Sequence, residues 1–254
     1  MNAFKGLLKK DLKLSKTVFY TFLIMMAIVI AAGIGFSGYY KSFDIVAAIS
    51  LGLVMVQFMY FPISIFTTLR IEGKTQLWLH NPNSSTLLLF SKLLSSLIFA
   101  VLSLVITIII ASICLPMTEQ LKLSITSADI LCMGIVFLWF STYISIWVVF
   151  YWVVYHSLAK ITWMKKIRWL LLIIFWNVWS GFTYLLDKLS FIKELKQMSI
   201  IKLGKAFQFQ TSNSSFSAGM ESTEISLAVI GGYLCVAIIL FLISSWLLDR
   251  KVEV

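Results

Sequence analysis

Hydrophobic positions in this chain fall in long unbroken runs, not in alternation. Six runs stand out, at roughly 18–36, 45–69, 93–115, 129–155, 168–186 and 225–248. A hydrocarbon core of ~30 Å takes about 20 apolar residues per helical crossing. Continuous runs of this length suit helices, which satisfy their own backbone in lipid, whereas barrel strands would alternate. The pattern predicts an all-α polytopic membrane protein with six transmembrane helices. Between the runs lie short polar segments and one long one, 187–224.

Composition sharpens this reading. Of 254 residues, 60% are hydrophobic and 13% charged, against about half and a quarter in soluble domains. A soluble enzyme, a disordered chain, a coiled coil and collagen are excluded. The net charge of +10 would suggest nucleic acid on a soluble protein. In a membrane chain, basic residues mark cytoplasmic loops and meet anionic headgroups, so membrane lipid is the expected partner and nucleic acid is not. With a cytoplasmic N-terminus, segments 1–17, 70–92, 156–168 and 249–254 carry 14 of the 21 basic residues. Five of the others lie in the long outer segment, where the rule counts for little. Both termini are therefore expected in the cytoplasm; the excess of Lys over Arg and the scarcity of Pro point to a low-GC bacterium, with the chain multi-pass in its cell membrane. The first run lacks a small-residue cleavage site, so no cleavable signal peptide is expected.

Charge is also informative where it is missing. Every charged side chain lies outside the six runs or at an edge of one, as Asp129 and Arg168 do. Ion-coupled transporters and proton pumps need ionisable groups inside the bilayer. His80 and His156 fall at interfaces, so neither provides intramembrane protease chemistry. Cys114, Cys132 and Cys235 sit in apolar surroundings without CxxC spacing and read as buried small hydrophobes. No catalytic residue and no metal site is expected, and the chain is not expected to be an enzyme.

Four segments carry more than hydropathy. In 1–17, Phe4, Leu7, Leu8, Leu12 and Leu14 cluster on one arc at 100° per residue, opposite Lys5, Lys9, Lys10, Lys13 and Lys16. That predicts an interfacial helix lying in the headgroup plane. Asp11 falls on its apolar arc and should find a basic partner, for which Arg70 or Arg168 is suitably placed. In loop 70–92, Glu72 to His80 can form two helical turns, with Leu77 and Leu79 as apolar contacts. Asn81, Pro82 and Asn83 break it, and Ser84 or Ser85 can N-cap the next helix. Gly73, Lys74 and Thr75 imitate the end of a phosphate-binding loop, but Thr68 stands where its first glycine belongs and no strand precedes it. Nucleotide binding by this chain is therefore not expected.

In the outer segment, Leu189, Ile192, Leu195, Met198 and Ile201 recur every three residues between lysines. This predicts an amphipathic or re-entrant helix, followed by a polar stretch at 211–224. Two runs also show polar stripes: Ser50, Gln57, Ser64 and Thr68 in the second, and Asn177, Ser180 and Tyr184 in the fifth. Interhelical hydrogen bonding explains such stripes at ~0.6 kcal/mol each, and so does a lateral substrate surface. Seven of nine tryptophans lie between 139 and 179, with Trp152, Trp163 and Trp169 placed for an interfacial belt.

The order of these features resembles the permease subunit of type-2 ABC transporters. That order is an amphipathic N-terminal helix, two spans, a short cytoplasmic helix, a proline break, and a lysine opening span three. The family's inner loop has an acid, a glycine, a leucine-bearing helix, a proline, a small-residue stretch and a lysine. Here those positions are Glu72, Gly73, Leu77, Pro82, Ser84 to Thr86 and Lys92. The resemblance covers the whole chain in architecture and about 20 residues in motif.

It implies that 1–17 is an elbow helix ahead of a permease domain, 18–254. Residues 72–80 would be a coupling helix seated in a separate ABC ATPase, with Glu72, Gly73, Lys74, Leu77, Leu79 and Pro82 as the coupling residues. It further implies a second permease copy, homomeric or heteromeric, and an ATPase dimer that holds the ATP and Mg, so that this chain binds no cofactor. Gln57, Ser64, Asn177, Ser180 and Tyr184 would line the substrate pathway. Uncharged spans suit an amphipathic or hydrophobic cargo, such as a peptide toxin of the phenol-soluble-modulin or bacteriocin kind, an antimicrobial, a drug or a lipid. The 38-residue outer segment is longer than is common in the family. The rival expectation is a non-transporting immunity or sensor-anchor protein that binds a cytoplasmic partner through loop 70–92.

Overall fold

A computed structural model describes residues 3–75, 83–115, 127–159, 166–212 and 215–252. Among the described residues, six helices are long and apolar enough to cross a membrane, so the chain is an α-helical multi-pass membrane protein. They are α1 (Ala3–Tyr40), α2 (Asp44–Thr75), α3 (Ser85–Cys114), α4 (Ser127–Ala159), α5 (Arg168–Lys188) and α7 (Leu227–Leu247). Each overlaps one expected span, and only spans three and six overrun their helices, by one or two residues at an end. α7 ends in a π-helical turn, Leu248–Val252.

The chain divides into two units, 1–149 and 150–252, with the boundary inside α4. In the first, α1, α2 and α3 pack against one another. Their buried apolar residues include Leu7, Phe19, Met26, Phe61, Ile65, Leu89 and Leu104. Val54 and Ala111 pack with Ile130 of α4, and Met133 and Phe137 flank that cluster. Pro62 sits inside α2 without ending it, as proline often does in membrane helices.

α1 and α2 are joined by a tight turn. Lys41 adopts φ 53°, and the Ser42 N–H donates to the Ser37 carbonyl over 3.2 Å. A left-handed residue closing a helix this way usually is glycine or asparagine. Ser37 Oγ donates to the Ser42 carbonyl (2.8 Å) and Ser42 Oγ to Asp44 (3.1 Å), which holds the turn without glycine. Ser84 takes the N-cap position of α3, as expected, although its hydroxyl makes no capping bond.

In the second unit, Phe150 and Tyr151 of α4 pack on Phe175 of α5. Arg168 lies over the Tyr155 ring, 3.8 Å from its centre. Segment 187–224 differs in part from expectation. Its helical periodicity produces one short amphipathic helix, α6 (Ser190–Met198). Ile201, expected to continue that helix, and the described residues of the polar stretch 211–224 belong instead to a hairpin of β1 (Ile200–Ser212) and β2 (Ser215–Ser226). Phe207 pairs with Met220 and Phe209 with Ala218, and the register slips by one between Leu203 and Lys205. Alternating aromatic and glutamine residues at 207–210 favour extended backbone over helix, a local signal that the three-residue recurrence upstream obscures.

The N-terminal segment also differs. No break separates 1–17 from the first span: α1 is one helix of 38 residues. The separate elbow helix is thus corrected to an extension of span one. Leu7, Asp11 and Ser15 form its buried stripe, which docks against α3 rather than lying alone at the interface. The same holds for Glu72, Gly73 and Lys74, which complete α2 instead of opening a separate helix.

Candidate functional site

The charged residues that flank the apolar runs come together at one end of the α1–α2–α3 bundle. Lys92, in the second turn of α3, is 3% exposed. Its ammonium lies 2.6 Å from Glu72 of α2 and 3.1 Å from Asp11 of α1. Lys10 pairs with the other oxygen of Glu72, and the Ser91 hydroxyl donates to Asp11. Two cations and two carboxylates, drawn from three helices, form one network.

Burying any one of these charges alone would cost several kcal/mol. Their mutual pairing offsets that cost and leaves a cluster that is neutral overall. Its physical consequence is fixed register. Lys10 faces Glu72 and, twelve residues deeper along both helices, the Phe22 and Tyr60 rings meet at 4.8 Å. Asp11 was expected to pair with Arg70 or Arg168, and the structure corrects this to Lys92 and Ser91. Arg70 is exposed and Arg168 packs on Tyr155. Lys92 prevails because it opens α3 on the face that meets α1.

Below the ionic cluster runs a ladder of hydroxyls and amides. Ser15 Oγ lies 3.3 Å from Ser95 Oγ and 3.5 Å from Ser96 Oγ. Ser64 donates to Ser96 over 3.2 Å. Deeper still, Gln57 Nε2 donates to Ser103 (2.8 Å) and Thr107 (2.5 Å), and Thr107 reaches the Met26 sulfur at 3.9 Å. The whole α2 stripe of Ser50, Gln57, Ser64 and Thr68 is at most 5% exposed. Gln57 Nε2 and the Ser64 hydroxyl, both expected along a substrate pathway, are engaged by α3. The α3 half of the ladder, Ser91, Ser95, Ser103 and Thr107, keeps a spacing of four or eight. That is a third polar stripe, visible in the sequence yet absent from the reading of it.

The α5 stripe behaves oppositely. Asn177, Ser180 and Tyr184 are all exposed, and Asn177 Nδ2 donates to the Ile173 carbonyl of its own helix (2.8 Å). Spans two and five fall in different units, and α5 alone keeps a stripe open to a partner. Of the belt tryptophans, Trp169 is 66% exposed, whereas Trp152 is corrected to a buried residue, 9% exposed, stacked on His156 at 4.2 Å. Trp163 lies outside the described residues. So do Leu77, Leu79 and Pro82; of the other residues expected to couple, Glu72 is buried and Lys74 exposed. Gly73 is half-buried between them. Among the described residues, no group of histidine, cysteine and carboxylate side chains could hold a metal.

The class defined by these features is a six-helix membrane protein with an ion-paired, serine-rich three-helix bundle. No family model matches the chain, and no solved structure matches it. Over 264 aligned positions that cover all of both chains, it is 29% identical to the uncharacterized protein YhcE of Bacillus subtilis (strain 168).

Proposed function

We propose that this chain is the membrane subunit of an ATP-driven ABC exporter in a bacterial cell membrane, with both termini cytoplasmic. A separate ATPase dimer would supply the energy, and a second permease would complete the transport unit. The observation that carries this reading is the Glu72–Lys92 pair at 2.6 Å. These are the acid and the lysine of the permease-like loop motif, twenty residues apart, and they clamp the two ends of the segment that would enter the ATPase. A loop that transmits force needs a base that does not yield, and the Lys10–Glu72–Lys92–Asp11 network gives it one. The cargo would be amphipathic or hydrophobic, and the exposed face of Asn177, Ser180 and Tyr184 is the part of the expected pathway still available to it.

The test is copurification. Tagged chain, extracted in mild detergent, should retain an ATPase subunit encoded beside it, and Leu77→Asp should release that subunit while leaving the helical content unchanged. If no ATPase is retained by either form, the chain is the non-transporting membrane protein named as the rival.

A further inference from the structure

A cleft of about 540 Å³ runs between α1 and α2 on the surface of the first unit. Its α1 wall extends from Leu14 to Met25. Eleven residues at 1.5 Å each give about 16 Å, close to half of a ~30 Å hydrocarbon core. The cleft is therefore about one leaflet deep. Two of its three threonines present little polarity: Thr21 Oγ1 donates to the Thr17 carbonyl (3.0 Å) and Thr67 Oγ1 to that of Ile63 (2.7 Å). These two hydroxyls turn back onto their own helices.

Only one end of the cleft is charged. Lys74 follows the lining residue Ile71 by three positions and Lys10 precedes Leu14 by four, so both continue the cleft's stripe. Arg70 flanks them. Arg70 and Lys74 are exposed, while the nearby acids Asp11 and Glu72 are buried, 1% and 3% exposed. The rim is therefore positive toward an incoming headgroup. The other end, at Met25 and Val56, has only apolar walls.

We infer that this cleft is a binding site for an anionic phospholipid. One acyl chain lies along the groove between α1 and α2, and the phosphate meets Arg70 and Lys74. A zwitterionic lipid would fill the groove equally well but would gain less from the rim. The inference does not depend on whether the chain works with an ATPase.

Native mass spectrometry of the purified full-length chain tests it, using phosphatidylglycerol and phosphatidylcholine with identical acyl chains. Phosphatidylglycerol should be retained several-fold more strongly, with one tightly held molecule per chain. Thr21→Trp, which fills the groove, should abolish that tight adduct. Arg70→Gln with Lys74→Gln, a surface pair that threatens no packing, should bring the two lipids to parity. Lys16→Gln removes a charge from the far arc of α1, where the ammonium lies over Tyr20, and should change nothing. Equal retention of both lipids by the unaltered chain would overturn the assignment. So would retention in the Arg70/Lys74 double variant equal to that of the unaltered chain, or a loss in Lys16→Gln as large as in the double variant.

Discussion

The polar stripes of α2 and α5 look alike in sequence and serve opposite ends in the structure. Both place small polar residues at helical spacing in an apolar span. In α2 the stripe is sealed against α3, where Gln57 finds Ser103 and Thr107. In α5 the corresponding positions are open, and Asn177 turns to its own backbone. No described side chain of α5 is buried, so the stripe there remains available to a ligand or partner. What separates the two is the complement. α3 carries a matching stripe in register with α2, and no such second stripe accompanies α5 among the described residues of its unit. A polar stripe in a span is thus read correctly only together with its partner helix.

The strongest way to break this contrast is to remove the ion at the head of the sealed bundle. Lys92→Met would leave Asp11 and Glu72 buried, with Lys10 as the remaining cation of the network. Losing one partner of a buried ionic cluster typically costs about 3–5 kcal/mol. The variant should show a large fall in thermal stability in detergent and poor yield. Arg168→Met, which removes a cation over Tyr155 in the other unit, should cost only about 0.5–1 kcal/mol. If both variants melt alike, the ionic network does not hold the bundle together.

Next in size is steric. Ser64 has no exposed surface, so Ser64→Trp overpacks the α2–α3 contact, at about 1–3 kcal/mol or more. Ser180→Trp enters open space and should leave folding intact while lowering export, if α5 lines the pathway. Normal elution and melting of Ser64→Trp would show that the α2 stripe is looser than the hydroxyl ladder implies.

Much of the architecture was legible from hydropathy, because bilayer thickness and backbone satisfaction leave little choice for runs of apolar residues. Less of the site was. The sequence required a partner for Asp11 but could not supply it, since Lys92 becomes its neighbour only once α1 and α3 are packed. Segregation of lysines and leucines in 1–17 pointed to an apolar face, of which only Leu7 is buried, beside Asp11 and Ser15; surface helices and docked extensions of a span share that pattern. Glu72 and Lys92 were visible as motif positions, whereas their contact depends on a return of the chain twenty residues later. The hairpin at 200–226 was missed because three-residue recurrence just before it extended a helical reading too far.

A direct test of the paired stripes compares Gln57→Leu with Asn177→Leu. The first deletes two interhelical hydrogen bonds, and such bonds average ~0.6 kcal/mol and reach ~1.7 in membranes. A fall in melting temperature of that order is expected, with little or none for Asn177→Leu. Equal changes would mean that α5 has a hidden partner and that its stripe is not open.

The smallest expected effect distinguishes ladder members from bystanders inside the same bundle. Tyr60 is 2% exposed, and its hydroxyl meets no acceptor at hydrogen-bond geometry. Ser64, one turn further along, is engaged with Ser96. The ring itself is well used, stacked against Phe22 at 4.8 Å. Tyr60→Phe keeps that ring and deletes a buried donor whose desolvation costs roughly 1–3 kcal/mol when no partner compensates it. The variant should melt at the same temperature as the unaltered protein or somewhat above it, the reverse of Gln57→Leu. A melting temperature lowered as far as that of Gln57→Leu would place the Tyr60 hydroxyl within the ladder, and the sealed stripe would then extend onto the α1 face of α2.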